Sequence, residues 1–595
     1  MHSETWKLRC SCALINNEQA DVKPLVYILF SAALAMSGAE DGYVDPSTCK
    51  PCHSKIYETY AETGMGKSFR PIDSMTQLED WERKNTFYHA LSDRYYQAFR
   101  RERKYFLLRY QHGKTNVVEK EIHYVVGSGN HSRTYLHRNS QGKLLELPLS
   151  WYAERGGYWA MSPGYDRPDH SDFRREVGDG CLFCHNGYPS RSNRGLATGI
   201  DCQRCHGPGK AHAGGKGSVV NPAKLTPERQ LDVCMQCHLE SASRSLPEAV
   251  RRFDRSTFSF RPGEPLEDYM LYFDFANKAG RDRITVNHSA YGMRESKCYL
   301  RSEGRMTCTT CHNPHHVERG EAAQKYIEVA CRKCHEDVGP GEHHVRRDTG
   351  NCVSCHMPKR RTEDAVHVVM TDHRIRRKPP AGDSLAPLQE RRDRLTGDVA
   401  LFYPTSLPDT SENRLYSAIA QLRVSPRLER DITRLKDAMT GVEQLTAEPF
   451  VELGSALRRS GHDDEAITYY RKALERNVRL LPALVALSEL LLARGSANEA
   501  VAMLEPALSE DPENTNLLNS LAVAYAFVER FSDALKLMEK AVAIDPDDPL
   551  SWLNLGVCRQ QQGDSPGAVR AYRAAIRLQP DFTRARTYLN RLGTQ

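Results

Sequence analysis

Seven segments of this 595-residue chain repeat one spacing of reactive side chains, Cys-x-x-Cys-His. With two cysteines each, they account for fourteen of the eighteen cysteines in the chain. The cysteine pairs are Cys49 and Cys52, Cys181 and Cys184, Cys202 and Cys205, Cys234 and Cys237, Cys308 and Cys311, Cys331 and Cys334, and Cys352 and Cys355; the histidines directly after them are His53, His185, His206, His238, His312, His335 and His356. Thiols at this spacing can bind a metal, form a redox disulfide or attach a larger cofactor.

The histidine fixed after the second cysteine separates these possibilities. A zinc ribbon uses cysteine pairs but needs no histidine at that position. A thioredoxin-like motif normally occurs once, near a βαβ pattern. Cys-x-x-Cys-His is the attachment motif of c-type haem, in which two thiols add to the two vinyl groups of one macrocycle and the histidine binds the iron. The sequence therefore predicts seven covalently bound haems, with the seven motif histidines as proximal iron ligands.

A haem with one histidine still has an open iron face. A second histidine makes the iron suitable for electron transfer, whereas an open face can bind a small molecule. A histidine shortly after one motif is expected to reach the iron of a neighbouring haem, because its own haem already holds the adjacent proximal histidine. Two alternatives to these histidine ligands stay open. The segment "VHVVM" around His367 is also a plausible strand, and Met65 could bind the iron of the first haem. The candidate distal ligands are His89, His131, His137, His212, His315, His344, His367 and His373.

The N-terminus predicts a compartment. The apolar run Leu25–Met36 follows Lys23 and precedes small residues, which is typical of a secretory signal peptide over residues 1–39. A single membrane anchor is the alternative, but twelve apolar residues are few for a bilayer. We expect a periplasmic or secreted protein with no transmembrane helix after cleavage. The formal charge of +6 is small for the length and does not favour nucleic acid as a partner.

The pattern between the motifs predicts the organisation of the cytochrome part. Residues 40–84 carry the first haem. Residues 85–170 contain short alternating segments separated by turns, which predicts a small antiparallel β insert. Residues 171–378 carry six motifs with few apolar residues for each haem. This part is expected to be mostly α-helical or irregular, with the porphyrins as its core.

After a predicted linker over residues 379–410 the chain becomes rich in alanine and leucine. A 34-residue repeat can be counted from Ala447. Position 8 of each repeat is a small residue, as at Gly454 and Gly556, and positions 20 and 27 are alanine. This register is typical of the tetratricopeptide repeat, an all-α solenoid. The predicted repeat domain covers residues 411–595, with a degenerate leading pair over 411–446, repeats over 447–480, 481–514, 515–548 and 549–582, and a closing helix over 583–595.

The segments "DCQRCHGPGKAH", "TCTTCHNPHH" and "NCVSCHMPK" resemble the multihaem cytochrome c superfamily that includes hydroxylamine oxidoreductase and the multihaem nitrite reductases. The resemblance implies closely packed haem pairs and mostly bis-histidine iron. The nitrite reductases carry lysine in place of the motif histidine at their catalytic haem, whereas all seven motifs here keep histidine. Hydroxylamine oxidoreductase crosslinks a tyrosine to its active haem, and no pattern assigns that role to any of the 27 tyrosines.

These features favour an electron carrier between redox partner proteins, with the repeats as a docking surface for a protein or peptide. The alternative is an oxidoreductase, a reductase or oxidase of a small nitrogen or sulfur compound at one five-coordinate haem. A scaffold whose haems act as a redox sensor is a third hypothesis. No catalytic residue is assigned from the sequence.

Overall fold

The computed structural model describes residues 42–74, 76–114, 116–189, 196–239, 248–276, 282–335, 352–378, 380–390 and 396–593. The predicted signal peptide and the candidate ligand His344 lie outside these residues. Within them, no helix combines the length and the apolar character that a membrane span requires.

The chain begins with the first motif and enters a β-rich region. Cys49 ends a 3-10 helix that starts at Pro46. One helix and nine strands follow: α1 (Ser54–Ala61), β1 (Phe69–Pro71), β2 (Thr86–His89), β3 (Arg94–Arg101), β4 (Lys104–Tyr110), β5 (Val118–Ile122), β6 (Tyr124–Val126), β7 (Ser132–Arg138), β8 (Leu144–Tyr152) and β9 (Tyr158–Met161). The predicted β insert is therefore present between the first and second motifs.

The insert contains two antiparallel sheets where the sequence predicted one. Strands β2 to β5 form a four-stranded sheet in chain order, in which Ala98 pairs with Leu107. The second sheet has the order β1-β6-β7-β8, with β9 and the short strand β10 (Arg175–Glu176) also paired to β8. Because β1 and β10 lie outside residues 85–170, the sheet reaches beyond the predicted boundaries. Buried aromatic residues, including Trp81, Trp151 and Trp159, belong to a core that the two sheets of the insert share.

The region of the six later motifs consists of short helices and strands. Its elements are α2 (Asp179–His185), α3 (Gln203–His206), α4 (Lys210–Ala213), α5 (Pro227–His238), β11 (Glu248–Arg251), β12 (Met270–Phe275), α6 (Ser289–Glu295), α7 (Lys297–Arg301), α8 (Gly320–Arg332), α9 (Cys352–His356), β13 (Lys359–Arg361) and β14 (Val369–Thr371). Contrary to expectation, this region has an apolar core of its own side chains. Aromatic residues between the fourth and fifth motifs, such as Phe260 and Tyr269, pack against Leu231 and Met235 of α5.

The segment predicted as a linker contributes to the fold. Within residues 379–410, strand β15 (Val399–Tyr403) pairs with β12 and completes the three-stranded sheet β11-β12-β15. Upstream of β15, the Glu390 carboxylate accepts the backbone N–H of Asp166 at 3.1 Å. These long-range pairs could not be read from the residues of the segment itself.

The C-terminal part is an all-α solenoid of helix pairs, as the 34-residue register predicts. Gly454 allows this packing, because a Cβ atom there would lie 3.0 Å from the ring of Tyr470. Ala466 and Ala473 are fully buried at the predicted small positions. The helices are α10 (Ser411–Arg423), α11 (Leu428–Thr440), α12 (Glu448–Arg459), α13 (Asp463–Arg476), α14 (Leu481–Ala493), α15 (Ala497–Glu510), α16 (Thr515–Phe527), α17 (Phe531–Ile544), α18 (Pro549–Gln561), α19 (Ser565–Leu578) and α20 (Thr583–Gly593).

In the part of the chain that the structure describes, the solenoid contacts the other regions through its first helix and along the β insert. Its first helix, α10, shares an apolar cluster with Val250, Leu271 and Phe273 of the β11-β12-β15 sheet. The loops that follow the second helix of successive repeats contact the β insert. These polar contacts join Gln141 Nε2 to the Glu513 carbonyl (3.4 Å), Ser140 Oγ to the Ile544 carbonyl (2.9 Å) and Lys120 to the Asp547 carboxylate.

Candidate functional site: the Cys-x-x-Cys-His cluster

Each motif presents its two thiols and its imidazole from one turn of backbone. In the third motif the His206 N–H donates to the Cys202 carbonyl at 2.9 Å, and in the fifth the His312 N–H donates to the Cys308 carbonyl at 3.0 Å. Residues i, i+3 and i+4 share one face of a helical turn. The Cys-x-x-Cys-His spacing therefore directs all three reactive groups to the same side.

The motif thiols are accessible. All fourteen motif cysteines lie in the described part of the chain, each is at least partly exposed, and none is joined in a disulfide. Cys558, outside the motifs, is buried in the solenoid, as expected for a small apolar side chain. Exposed, reduced thiols are what covalent attachment of a macrocycle requires.

The motifs also lie against one another. Burial and then the nearby Cys49 thiol raise the pKa of Cys202, so the first and third motifs lie close together. Cys234 and Cys308 form a second such contact, between the fourth and fifth motifs. The attachment points of these four motifs are therefore grouped in two pairs.

Three motif histidines face a second histidine from elsewhere in the chain. The ring centroids of His53 and His212 are 6.2 Å apart, with an angle of 19° between the ring planes. His206 and His315 are 5.9 Å apart at 8°, and His312 and His373 are 6.2 Å apart at 36°. In every pair the second histidine follows the motif two places further along the chain.

The separation within these pairs fits a metal between the rings. An imidazole nitrogen binds a metal at about 2 Å, so rings on opposite faces of one metal have centroids about 6 Å apart. Imidazoles that bind metal usually donate their other ring N–H to a carbonyl, which fixes the tautomer. His206 Nδ1 lies 2.8 Å from the Val220 carbonyl, and His373 Nδ1 lies 2.9 Å from the Thr371 carbonyl. A hydrogen bond at Nδ1 leaves Nε2 of these two rings available to bind a metal.

The surroundings of the motifs are partly open to solvent and include exposed apolar side chains. His238 and His312 are solvent-accessible, yet burial by the surrounding protein lowers the pKa of both rings. Large apolar side chains beside the fifth and sixth motifs are 44–65% exposed, namely Leu300, Val317, Tyr326 and Val329. Large apolar side chains exposed in this way are expected where a bound group covers the surface. The residues present therefore fit haem.

Two candidate distal ligands meet elsewhere. His89 Nε2 lies 3.3 Å from one carboxylate oxygen of Asp166, and His367 Nε2 lies 3.3 Å from the other. The two imidazoles, His367 first and then His89, hold the pKa of Asp166 below its usual range. These contacts join the β insert to the hairpin after the seventh motif. The structure thus brings His89 and His367 to a shared carboxylate.

The remaining candidates take other positions. His131 is exposed beside the backbone of Val369, and His137 Nδ1 lies 2.8 Å from the Glu121 carbonyl. In the described residues neither ring stacks on a motif histidine. Met65 is half-buried.

Sequence reasoning did not select His170 or His288, which follow no motif closely. Both are buried, and burial lowers the pKa of each to about 3. The His288 ring stacks on Tyr291 at 4.1 Å. Only their burial distinguishes them, and an isolated histidine in a sequence carries no signal of it.

Comparison with known proteins identifies the C-terminal part. Tetratricopeptide repeat models match residues 447–477, 485–549 and 519–582. The general transcriptional corepressor ssn6 of Schizosaccharomyces pombe is 24% identical over 140 residues, covering 23% of this chain. A thermophilic tetratricopeptide repeat protein of Thermus thermophilus aligns with a TM-score of 0.26 at 20% identity, covering 31% of this chain and 100% of its own.

A separate match concerns haem proteins. The multiheme cytochrome MtrA of Shewanella baltica is 27% identical over 186 residues, covering 27% of this chain. The chain spans 13% of the length of the corepressor and 54% of the length of MtrA. The likeness to MtrA is partial. The chain thus carries an all-α domain of tetratricopeptide repeats in its C-terminal part.

Proposed function

We propose that the protein is an exported c-type cytochrome with seven haems that carries electrons between redox partner proteins. The observation that carries this proposal is the set of three imidazole pairs spaced for one metal each. Haem, when bound, supplies an iron that accepts and releases one electron. An iron with two imidazole ligands has no position for a substrate, which suits electron transfer.

From these pairs we infer a role for individual side chains. His53, His206 and His312 are the proximal ligands of the first, third and fifth haems, and the cysteines of each motif hold the macrocycle. His212, His315 and His373, in that order, would supply the sixth ligand to each iron. Because each sixth ligand follows the motif two places later, successive segments of the chain interlock. This interlocking would hold the macrocycles attached at these motifs in fixed positions.

The setting of the cluster supports the same function. The partial likeness to a multiheme cytochrome is in line with the repeated Cys-x-x-Cys-His motifs. Export through the predicted signal peptide would take the chain to a compartment where covalent haem attachment occurs. The tetratricopeptide repeats provide a surface for a protein or peptide, which we propose is a redox partner or a protein that holds one nearby.

Two measurements test the proposal. The haem content of the protein, measured by its pyridine haemochrome spectrum, should be seven per chain. The low-temperature EPR spectrum of the fully oxidised protein should contain only low-spin signals. A stoichiometric high-spin signal that shifts on addition of nitrite or hydroxylamine would contradict the carrier function.

One observation favours the alternative function, a reductase or oxidase of a small nitrogen or sulfur compound. Among the described residues, no imidazole ring stacks on His185 or His238, and His185 Nδ1 is buried without a hydrogen-bond partner. A haem at either motif could present an open face. The EPR experiment with added nitrite separates the two functions, because only an open haem would respond.

A further inference from the structure

Arg204 lies inside the third motif, between its two cysteines, and is 1% exposed. Its guanidinium carbon is 4.2 Å from the ring centroid of Phe183, 4.7 Å from that of Tyr188 and 5.6 Å from that of Phe258. Three aromatic rings therefore surround this cation. Aromatic faces attract a guanidinium most strongly where water is excluded.

The hydrogen bonds of this guanidinium are incomplete. Nη2 donates to the Phe183 carbonyl at 2.9 Å, whereas Nε and Nη1 are buried with no hydrogen-bond partner in the described residues. No ion pair joins Arg204 to a carboxylate of these residues. The neighbouring acid, Asp201, accepts backbone N–H groups of Gln203 and Arg204 instead. A buried charge without a paired counter-charge is costly, so its retention requires an explanation.

The position of the charge suggests that explanation. Nη2 of Arg204 is 4.0 Å from Sγ of Cys237, one of the two attachment points of the fourth motif. Arginine stays protonated at any pH that a protein experiences. A fixed positive charge thus lies at the edge where the fourth macrocycle would be attached, in surroundings that screen it little.

We propose that Arg204 raises the reduction potential of the haem attached at Cys237. When a redox partner donates one electron to the ferric iron, the charge of that centre falls by one. A nearby fixed cation favours the resulting ferrous form, and net charge is one of the protein's means of setting such potentials. This inference rests on the proposed function, because it requires the fourth haem to be present. Arg204 acts on the haem through its field and takes no part in attachment.

Substitution tests the role of the charge. Arg204→Gln removes the charge and keeps an amide that can donate to the Phe183 carbonyl, whereas Arg204→Lys keeps the charge. Arg261→Gln is the matched control, because Arg261 stacks on the same Tyr188 ring at 5.3 Å but is only half-buried. The readout is a spectroelectrochemical titration of the haem-loaded full-length protein, together with its haem count.

We expect Arg204→Gln to lower one midpoint potential. At the wild-type midpoint of that haem, the ferrous-to-ferric ratio should fall on the order of tenfold, the size expected for a charge roughly 10 Å away in a protein interior. Arg204→Lys should stay close to wild type, and Arg261→Gln should change the ratio less. The shifted component should be absent from a Cys234→Ser, Cys237→Ser variant.

The possible results distinguish a failure of the role proposed for Arg204 from a failure of the proposed seven-haem function. A wild-type haem count below seven overturns the proposed function. A count of seven with unshifted potentials in Arg204→Gln overturns only the role of Arg204. If Arg204→Gln loses haem, Arg204→Met can be measured in its place, because a methionine side chain fits among the three aromatic rings. It should lower the same midpoint potential. Loss of the fourth haem from both neutral variants, but not from Arg204→Lys, would overturn the inference by showing that Arg204 is needed for attachment.

Discussion

Arg109 donates from Nη1 to the backbone carbonyl of Leu578 at 3.3 Å, across 469 positions of sequence. The same fully buried guanidinium pairs with Asp172 and donates from Nη2 to the Arg577 carbonyl at 2.5 Å. The last carbonyls of a helix have no partner within the helix and carry its negative dipole end. Arg109 in β4 therefore caps helix α19 and joins the β insert to the last repeat.

These contacts of Arg109, called the Arg109 clamp below, predict that the repeats and the β insert unfold together. Arg109→Ala should lower the free energy of unfolding by about 3 kcal/mol, because Asp172 loses its closest cation in a buried site. Arg101→Ala is the control, since Arg101 pairs with Glu119 at the surface, where such pairs contribute about 0–1 kcal/mol. Urea unfolding followed by circular dichroism measures both. Equal stabilities of the two variants would contradict the clamp.

The imidazole pairs predict a contrast between adjacent histidines. His315→Ala should convert one haem from low spin to high spin in the EPR spectrum, because the His206 ring loses its partner. His316→Ala should leave the spectrum unchanged, since His316 is exposed and lies 3.2 Å from Glu318. A wild-type spectrum for both variants would remove His315 from the set of iron ligands.

Asp364 predicts a dependence of stability on pH. Burial raises the pKa of this carboxyl to about 7, although backbone N–H groups such as that of Val286 donate to it. The folded state then binds a proton that the unfolded chain, with a pKa of about 3.9, has released. The contribution of this group to stability is therefore present below pH 4 and is lost as the pH rises towards 7.

Asp364→Asn removes that proton-linked term. Relative to this variant, the wild type should lose on the order of 1–3 kcal/mol of unfolding free energy between pH 5 and pH 8. Urea titrations at the two pH values measure the difference. A difference between the two proteins that stays constant with pH would show that Asp364 does not titrate in this range.

The repeat packing predicts an effect of side-chain size. Gly454→Leu places extra atoms against the Tyr470 ring and should destabilise the solenoid by about 1–3 kcal/mol. Val478→Leu, at a position that is 70% exposed, should change stability by less than about 0.5 kcal/mol. Thermal unfolding of the full-length variants compares them. A Gly454→Leu protein as stable as wild type would mean that the two helices of the repeat separate without cost.

Local features of this chain were predictable from its sequence. The Cys-x-x-Cys-His spacing places three groups on one face of a helical turn, and this holds for every motif because it depends only on backbone geometry. The 34-residue register predicted the solenoid and its tight contacts at Gly454, since each repeat packs mainly on its neighbours. Alternation of apolar and polar residues predicted the antiparallel strands, though not their division into two sheets.

Relationships between distant residues were settled by the tertiary structure alone. His212, His315 and His373 were candidates from the start, but which motif histidine each one faces depends on how the segments pack. His89 and His367 looked like equivalent candidates, yet the fold brings both to Asp166. The residues next to Arg204 in the sequence do not predict its burial among three aromatic rings. A sequence specifies what a side chain can do within a turn or a repeat, whereas its partner across hundreds of residues is decided by the packing of the whole chain.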